Sequence, residues 1–185
     1  MRDDLVIIGG GLAGAEAAWQ AAERGGKVTL YEMRPKQGTA AHKTSNLAEI
    51  VCSNSLGSAD PISAPGILKE EMRLLNSLVM RVAEMARVPA GSALAVDRGI
   101  FAQEITRTLE SHPNIKIIRE EIREIPSDAL CIVATGPLTS EPLAQSLATL
   151  TNKKNLAFFD AISPIIDAES IDMGKVFRAS RYDKG

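Results

Sequence analysis

The amino-acid sequence predicts an α/β fold, in which a parallel sheet is covered by helices and interrupted by a long inserted segment. Three observations support this prediction. Residues 5–8 form a short apolar run, followed by a glycine-rich turn and an alanine-rich stretch with helical spacing. A second apolar run, residues 28–31, ends beside Glu32, and a third, residues 130–134, ends in Thr135 and Gly136. Short apolar runs that alternate with helical segments are typical of parallel sheets.

The glycine-rich turn has the spacing Gly9-x-Gly11-x-x-Gly14, which is the fingerprint of a Rossmann-like dinucleotide site. Gly9 allows a sharp turn, Gly11 leaves room for a pyrophosphate to approach the backbone, and Gly14 lets the helix lie close to its strand. The phosphates would lie at the start of the helix, where free N–H groups and the helix dipole favour an anion. The predicted cofactor-binding turn comprises Gly9, Gly10, Gly11, Leu12, Ala13 and Gly14.

Glu32 lies 18 residues after Gly14, at the end of the second predicted strand. In dinucleotide sites, a carboxylate at this place accepts hydrogen bonds from the adenosine ribose. A carboxylate also repels a 2′-phosphate, so this site is predicted to reject NADP, and Arg34 is the one nearby group with the opposite effect. The alternative is an ordinary glycine turn followed by an exposed glutamate.

The third apolar run predicts a buried strand that delivers Ala134, Thr135 and Gly136 to its C-terminal end. Small residues suit the ligand-binding edge of a parallel sheet, where bulk would block a cofactor. Together with the N-terminal fingerprint, this Ala-Thr-Gly sequence resembles the second FAD-proximal motif of two-domain flavoproteins. FAD is therefore favoured over NAD, and Thr135 and Gly136 join the predicted cofactor site. Cys131, within the same run, is predicted to be a small core residue.

Composition and charge narrow the class of protein. The 185 residues are 45% hydrophobic and 24% charged, which is typical of a globular protein, and the net charge of −2 offers no general attraction to nucleic acid. No apolar run approaches the ~20 residues of a membrane span, and nothing resembles a signal peptide, so a cytoplasmic location without membrane contact is expected. The two cysteines, Cys52 and Cys131, form no disulfide framework, and no metal site is predicted.

Residues 33–96 are predicted to form an inserted or flanking segment of the nucleotide-binding fold. The segment begins with a connection, residues 33–65, whose length is typical of a functional loop. Apolar residues at helical spacing then predict one amphipathic helix of about twenty residues. Its basic side chains either contact RNA phosphates or belong to a solvated face neutralised by Glu70, Glu71 and Glu84. These basic residues are Lys69, Arg73, Arg81 and Arg87.

Two further strands and a helix are predicted beyond the insertion. Asp97 opens a helix whose apolar residues recur four apart, and His112 beside Pro113 is predicted to cap its end at the surface rather than act as a catalytic base. Residues 115–118 and 122–125 both have strand-like character, and Pro126 ends the second of these runs.

Two sequence blocks are far more specific than the nucleotide fingerprint: Tyr-Glu-Met-Arg-Pro at residues 31–35 and Cys-Ser-Asn-Ser at residues 52–55. With further blocks at residues 11–20, 68–73, 95–98, 134–140 and 180–185, they resemble the TrmFO family of folate- and FAD-dependent tRNA (uracil-5-)-methyltransferases. The resemblance covers essentially the whole chain. One departure is Gly57, where the family usually has a basic residue.

The resemblance implies that residues 1–185 form an FAD/NAD(P)-binding-type domain at the N-terminal part of a longer enzyme. That enzyme would form 5-methyluridine in tRNA, with methylenetetrahydrofolate as carbon donor, reduced FAD as reductant and NAD(P)H to recharge the flavin. Carbon 5 of uracil is a poor nucleophile, and thiolate addition at the neighbouring carbon activates it. Cys52 is the matching family position. A second cysteine, in the part of the family's chain that this sequence lacks, competes for the role of primary nucleophile.

Two alternative functions stay open on sequence grounds. A general FAD-dependent NAD(P)H oxidoreductase needs only the fingerprint and the Ala-Thr-Gly motif, and it leaves the Cys-Ser-Asn-Ser block without a purpose. A truncated nucleotide- or RNA-binding fragment without activity of its own is the other alternative, because the chain is shorter than the members of the family it resembles.

Overall fold

The computed structural model describes residues 4–152 and 168–177, so the sequence block at residues 180–185 lies outside the described residues. The strands are β1 (Asp4–Ile8), β2 (Lys27–Tyr31), β3 (Ser55–Ser58), β4 (Arg87–Val88), β5 (Ala93–Val96), β6 (Ile115–Ile118) and β7 (Leu130–Val133). The α-helices are α1 (Leu12–Glu23), α2 (Ala64–Leu74), α3 (Leu78–Met85), α4 (Arg98–Glu110) and α5 (Glu141–Thr151). None of these helices is long and apolar enough to cross a membrane.

Four strands form a parallel sheet in the order β6-β2-β1-β7, which confirms the predicted α/β class and its four strands. The last residue of β1, Ile8, pairs with Tyr31 of β2 and with Val133 of β7. The carboxyl ends of these three strands therefore lie at one edge of the sheet. The glycine turn, Glu32 and Thr135 each follow one of these ends, so the sheet brings all three predicted features together.

The hydrophobic core lies where α1 and α4 pack on the sheet and on each other. Ala15 and Ala18 of α1 are fully buried, because their small side chains let the helix lie close to Ile7 and Leu30 of the sheet. Phe101 on α4 is the largest fully buried side chain. These elements hold the start of α1 in a fixed position at the sheet edge.

Residues 33–96 contain a second, antiparallel sheet in the order β3-β5-β4. The prediction of one long amphipathic helix is wrong, because the chain forms α2 and α3 with a break between them. Asn76 has a φ of 57°, which ends the helix, and the Ser77 side chain accepts a hydrogen bond from the Met80 backbone N–H to start α3. Asparagine and serine favour such turn and cap conformations. The Trp19 indole N–H donates to the Asn76 carbonyl at 3.0 Å and secures the break.

The break also changes which side chains of α2 are buried. Ile67 and Leu68 were predicted to face the core, and they are 50% and 56% exposed. Lys69 was predicted to lie off the core face, and it is buried with its ammonium donating to the Pro65 carbonyl. A single helical periodicity across α2 and α3 gives the wrong face, because the turn at Asn76 interrupts the periodicity between the two helices.

Two other sequence predictions differ from the fold. The strand predicted at residues 122–125 is absent from the described structure, since the Glu120 N–H bonds back to the Ile118 carbonyl and turns the chain out of the sheet. The strand β7 was predicted to be buried, but Leu130 and Ile132 are 74% and 39% exposed. The two residues are two apart in the strand and therefore lie on the same face of the sheet, which is open to solvent at β7.

Candidate functional site

A cavity of about 320 Å³ lies at the carboxyl ends of β1, β2 and β7. The glycine turn, the end of β2 and residues 134–140 line one part of it, and residues of the long loop that follows β2 line another. Among the predicted site residues, Glu32, Cys52, Thr135 and Gly136 all line this cavity, as do residues 9–13. Gly14 lies beneath it, at the contact between α1 and β1. The structure thus brings every predicted site residue to one place.

The glycines of the turn differ in what their missing side chains permit. A Cβ on Gly11 would meet nothing within 4 Å, so this position is open toward the cavity. A Cβ on Gly14 would lie 1.8 Å from the Gly9 carbonyl oxygen, and one on Gly10 would lie 2.4 Å from Leu47. Gly9 has a φ of 103° and packs against the backbone of Ala134. Gly11 therefore leaves space for a ligand, whereas the other three allow close packing of the protein itself.

The start of α1 fits a pyrophosphate. Gly11 is the N-cap residue, and no side chain in the described part of the chain caps the helix by a hydrogen bond. The first N–H groups of an uncapped helix, together with the positive end of its dipole, favour an anion. Because Gly11 has no side chain and is open toward the cavity, a phosphate group can approach these N–H groups directly.

Glu32 is buried in the wall of the cavity, only 6% exposed. One carboxylate oxygen accepts a hydrogen bond from the Gly10 N–H at 2.9 Å, and the other accepts from the Arg34 N–H and the Arg34 Nε. Burial by itself raises the pKa of Glu32, but the hydrogen bonds and charge of Arg34 and the Gly10 N–H outweigh it, so the net pKa is lowered. Glu32 is therefore ionised, oriented, and in contact with the glycine turn.

Arg34 is buried between two carboxylates, Glu32 and Glu49. Its Nη1 lies 3.1 Å from Glu49 Oε2 and also donates to the Thr44 carbonyl. The sequence prediction treated Arg34 as a cation available to a 2′-phosphate. The structure shows its charge already engaged by the two carboxylates.

The loop between β2 and β3 is tied to the glycine turn and to α4. The Ala48 N–H donates to the Gly10 carbonyl at 2.8 Å, and the Leu47 N–H donates to the Thr106 hydroxyl at 2.8 Å. Glu49 accepts hydrogen bonds from the N–H groups of Lys43 and Thr44, which folds the loop on itself. These bonds keep the loop against the cavity although it has no regular secondary structure.

Cys52 is exposed and lines the cavity, whereas Cys131 is half-buried on β7. Burial raises the pKa of the Cys131 thiol. The Cys-Ser-Asn-Ser block was predicted to lie wholly in a loop, but Ser55 already belongs to β3. Cys52 therefore lies three residues before the first residue of β3, on a segment with one end fixed by the second sheet.

Thr135 and Gly136 form the turn after β7, at the cavity wall. The Thr135 hydroxyl lies 2.6 Å from the Thr139 hydroxyl, and Gly136 has a φ of 63° that favours glycine. A Cβ on Gly136 would meet nothing within 4 Å. This turn is thus open toward the cavity in the same way as Gly11.

Sequence reasoning missed several side chains that line the cavity, among them His42 and Glu49. His42 lies beside the Thr39 hydroxyl, with 2.7 Å between Nδ1 and Oγ1, and burial together with the Arg34 charge lowers the pKa of His42. Glu49 is held by Arg34, which is 15 residues earlier in the chain. A separation of this length has no periodic signal, so only the folded loop reveals the pairing.

The four basic residues predicted on the long helix, which lie on α2, α3 and β4, do not form a free cationic surface. Arg73 pairs with Glu70 and Glu84, and Arg81 lies over the Trp19 ring at 4.6 Å. Arg87 also approaches Glu84, and Lys69 is buried. This arrangement supports the alternative of a neutralised helix face over contacts with RNA phosphates. In the described residues, no group of three or more metal-ligating side chains is close enough to hold a metal ion.

His112 is not the exposed cap that was predicted. Its side chain is only 12% exposed, packs edge-on against Trp19, and lies 3.2 Å from Glu23 through Nε2. It lines neither the cavity nor the loop of Cys52. Its position supports a structural role over catalysis, as predicted.

The sequence profile of the family described as "Glucose inhibited division protein A" matches residues 4–185. This chain belongs to that family. The family resemblance noted above is also confirmed: relatives named "Methylenetetrahydrofolate--tRNA-(uracil-5-)-methyltransferase TrmFO" align with all of this chain. The one from Aquifex aeolicus is 56% identical over 185 residues, and the one from Koribacter versatilis is 58% identical over 186 residues. The chain spans 42% of the length of each of these relatives.

A solved structure supports the same fold class. The chain is similar to GidA from Aquifex aeolicus in its form II crystal, with a TM-score of 0.54 and 21% sequence identity. The similarity covers 68% of this chain and 20% of that one. At this identity the comparison shows a shared α/β fold.

Proposed function

We propose that this chain is the FAD-binding part of a methylenetetrahydrofolate–tRNA-(uracil-5-)-methyltransferase. The observation that carries the proposal is that the glycine turn and Cys52 line the same cavity. An enzyme that combines flavin reduction with thiolate activation of a uracil needs these two features side by side. The names of relatives that are 56% and 58% identical to the chain support this reaction.

The residues of the cavity fit the ADP half of FAD. The pyrophosphate would lie over Gly11 at the start of α1, and the ribose hydroxyls would donate to Glu32. Thr135 and Gly136 would form the opposite wall. When bound, the flavin supplies the reducing equivalent that converts the transferred one-carbon unit into a methyl group. NAD(P)H, which recharges the flavin, would bind elsewhere, because FAD would occupy this site.

The role proposed for Cys52 is covalent activation of the uracil. Its thiolate would add to the ring carbon next to carbon 5, and the electron pair displaced from the double bond would make carbon 5 nucleophilic. Its exposure and its place at the cavity allow a tRNA base to reach it. A second cysteine in the remainder of the enzyme is the alternative primary nucleophile.

The remaining parts of the proposal concern the whole enzyme. Residues 1–185 would form its FAD/NAD(P)-binding-type domain, with residues 33–96 as an insertion that carries Cys52. Its substrates would be methylenetetrahydrofolate and tRNA, and it would act in the cytoplasm.

The test uses the parent-length enzyme with unmodified tRNA, methylenetetrahydrofolate and NAD(P)H. We expect the purified protein to be yellow from FAD and to form 5-methyluridine, and we expect Cys52→Ala to reduce methylation while flavin content is retained. Cys131→Ala is the matched control and should methylate normally. Oxidation of NAD(P)H without methyl transfer would instead support the general oxidoreductase. Flavin or tRNA binding without either reaction would support a non-catalytic fragment.

A further inference from the structure

A buried network of charges joins the predicted ribose carboxylate to the loop that carries Cys52. Arg34 Nε lies 2.9 Å from Glu32 Oε1, and Arg34 Nη1 lies 3.1 Å from Glu49 Oε2. The three side chains are only 4%, 7% and 13% exposed, in the order Arg34, Glu32 and Glu49. The network therefore lies in the protein interior, at the wall of the cavity.

Burial of three charges is costly unless each is paired and hydrogen-bonded. The planar fork of a guanidinium can donate in two directions at once, whereas a lysine ammonium is a point charge on a flexible stem. Arg34 uses this geometry to hold two carboxylates from segments that are 17 residues apart, at positions 32 and 49. Neither carboxylate has another basic side chain as its partner among the described ion pairs.

Each end of the network reaches a different part of the site. Glu32 accepts from the Gly10 N–H, so one end lies on the glycine turn. Glu49 accepts from the N–H groups of Lys43 and Thr44, so the other end fixes the loop three residues before Cys52. The glycine turn and the cysteine loop are thereby connected through a single guanidinium.

We propose that Arg34 is a positioning residue that couples the nucleotide-binding turn to the cysteine loop. It holds the Glu32 carboxylate in the orientation that accepts the ribose, and it holds Glu49 so that the loop stays against the cavity. The nucleotide part of this inference rests on the proposed function, whereas the loop part does not.

The test compares Arg34→Met with Arg73→Met in the full chain. Arg73 also bridges two glutamates, Glu70 and Glu84, but its side chain is 34% exposed and it does not line the cavity, so it is a matched control. The first measurement is the Kd for FAD, from flavin fluorescence. The second is the rate of tryptic cleavage after Lys43, an exposed residue in the loop, followed by mass spectrometry.

Arg34→Met should raise the Kd for FAD about tenfold, since the ribose carboxylate loses its orientation. It should also speed cleavage after Lys43 about threefold or more, because the loop opens locally. Arg73→Met should change neither quantity. Arg34→Lys should restore most of the FAD affinity through its proximity to Glu32, but cleavage should stay fast, because one ammonium cannot hold both carboxylates. A general loss of stability would change FAD affinity and Lys43 cleavage together, so it would not produce the result expected for Arg34→Lys.

Equal FAD affinity and equal Lys43 cleavage in Arg34→Met and the unsubstituted chain would overturn the inference. Parallel changes in Arg34→Met and Arg73→Met would also overturn it, since they would reflect general destabilisation. Failure of the unsubstituted chain to bind FAD would contradict the proposed function instead. In that event, faster Lys43 cleavage in Arg34→Met alone would still support the connection to the loop, and its absence would refute it.

Discussion

Gly11 and Gly14 belong to the same turn, but the absence of a side chain serves ligand access at Gly11 and packing at Gly14. In the described part of the chain, a Cβ placed on Gly11 would meet no other group within 4 Å, whereas one on Gly14 would collide with the Gly9 carbonyl oxygen at 1.8 Å. The fingerprint therefore combines a ligand-binding requirement with a packing requirement. Substitution at the two positions should separate them.

Gly11→Val should abolish FAD retention and leave the fold intact, because the valine side chain would occupy the space of the pyrophosphate. Gly14→Val should lower the melting temperature, because helix α1 must move away from the Gly9 backbone. Flavin absorbance after gel filtration and thermal unfolding followed by circular dichroism measure the two effects. Undiminished FAD content in Gly11→Val would contradict the assignment of the site.

The two cysteines should differ in reactivity. Cys52 is exposed at the cavity, whereas Cys131 is half-buried and burial raises the pKa of its thiol, which lowers the fraction of thiolate. We expect iodoacetamide to label Cys52 first in the native protein and to label Cys131 rapidly only in denaturant. Mass spectrometry of peptides over time provides the measurement. Equal labelling rates under native conditions would leave Cys52 without the accessibility that its proposed role needs.

At the scale of elements, the break between α2 and α3 depends on one backbone conformation. Asn76 has a φ of 57° and offers its carbonyl to Trp19 of α1. This left-handed conformation costs a branched residue roughly 1–2 kcal/mol, whereas glycine adopts it freely. The break is therefore a specific turn, centred on Asn76, between two separate helices.

Asn76→Val should lower the free energy of unfolding by roughly 1–2 kcal/mol, and Asn76→Gly should leave it nearly unchanged. Urea denaturation of the two variants and the unsubstituted chain provides the comparison. Both variants keep the backbone carbonyl that accepts from Trp19, so the difference isolates the φ requirement. Equal stability of the valine and glycine variants would show that residue 76 does not need this conformation.

The Glu32–Arg34–Glu49 network should make stability depend on pH. Both glutamates have a net pKa below the usual 4.5 in the folded chain. The unfolded chain therefore binds more protons than the folded chain as the pH falls below 4.5, so the stabilisation is present above that pH and is lost as the pH falls through the folded pKa values. Urea denaturation between about pH 6 and pH 3 should show this loss as a fall in the free energy of unfolding. The slope of that free energy against pH should be shallower for Glu49→Gln. Glu70→Gln, which alters an exposed ion pair, should keep the original slope.

At the scale of the whole molecule, the site is an assembly of segments that are distant in the chain. The sheet brings together the ends of β1, β2 and β7, and the loop after β2 closes against them. The negative charge at the cavity wall follows from this assembly, because Glu49 engages the cation that Arg34 would otherwise offer to a ligand. Ligand selectivity is thus a property of the folded site.

NADP⁺ should not displace FAD from this site, whereas NAD⁺, which differs by one phosphate, should compete weakly. The physical reason is the ionised Glu32 together with an Arg34 whose charge is engaged by two carboxylates. Competition measured by recovery of flavin fluorescence compares the two nucleotides directly. Tight competition by NADP⁺ would contradict the role of Glu32 at the ribose.

Much of the site could be predicted from the sequence because local rules govern it. The apolar runs that form β1, β2 and β7, the glycine spacing and the acidic residue at the end of β2 depend on neighbours within a few residues, and they lie where predicted. The loop network could not be predicted. Arg34 and Glu49 are 15 residues apart in an irregular segment, so no periodicity relates them.

The sequence by itself determined the parallel strands, the glycine turn and the family, since each depends on short contiguous sequence patterns. Only the tertiary structure decided that the predicted long helix is α2 and α3, that Lys69 is buried, and that β7 exposes Leu130 and Ile132. These features depend on which surfaces other elements cover. Hydrophobic periodicity shows that one face of an element is apolar. Burial of that face also requires a packing partner, whose position is set by the packing of distant segments.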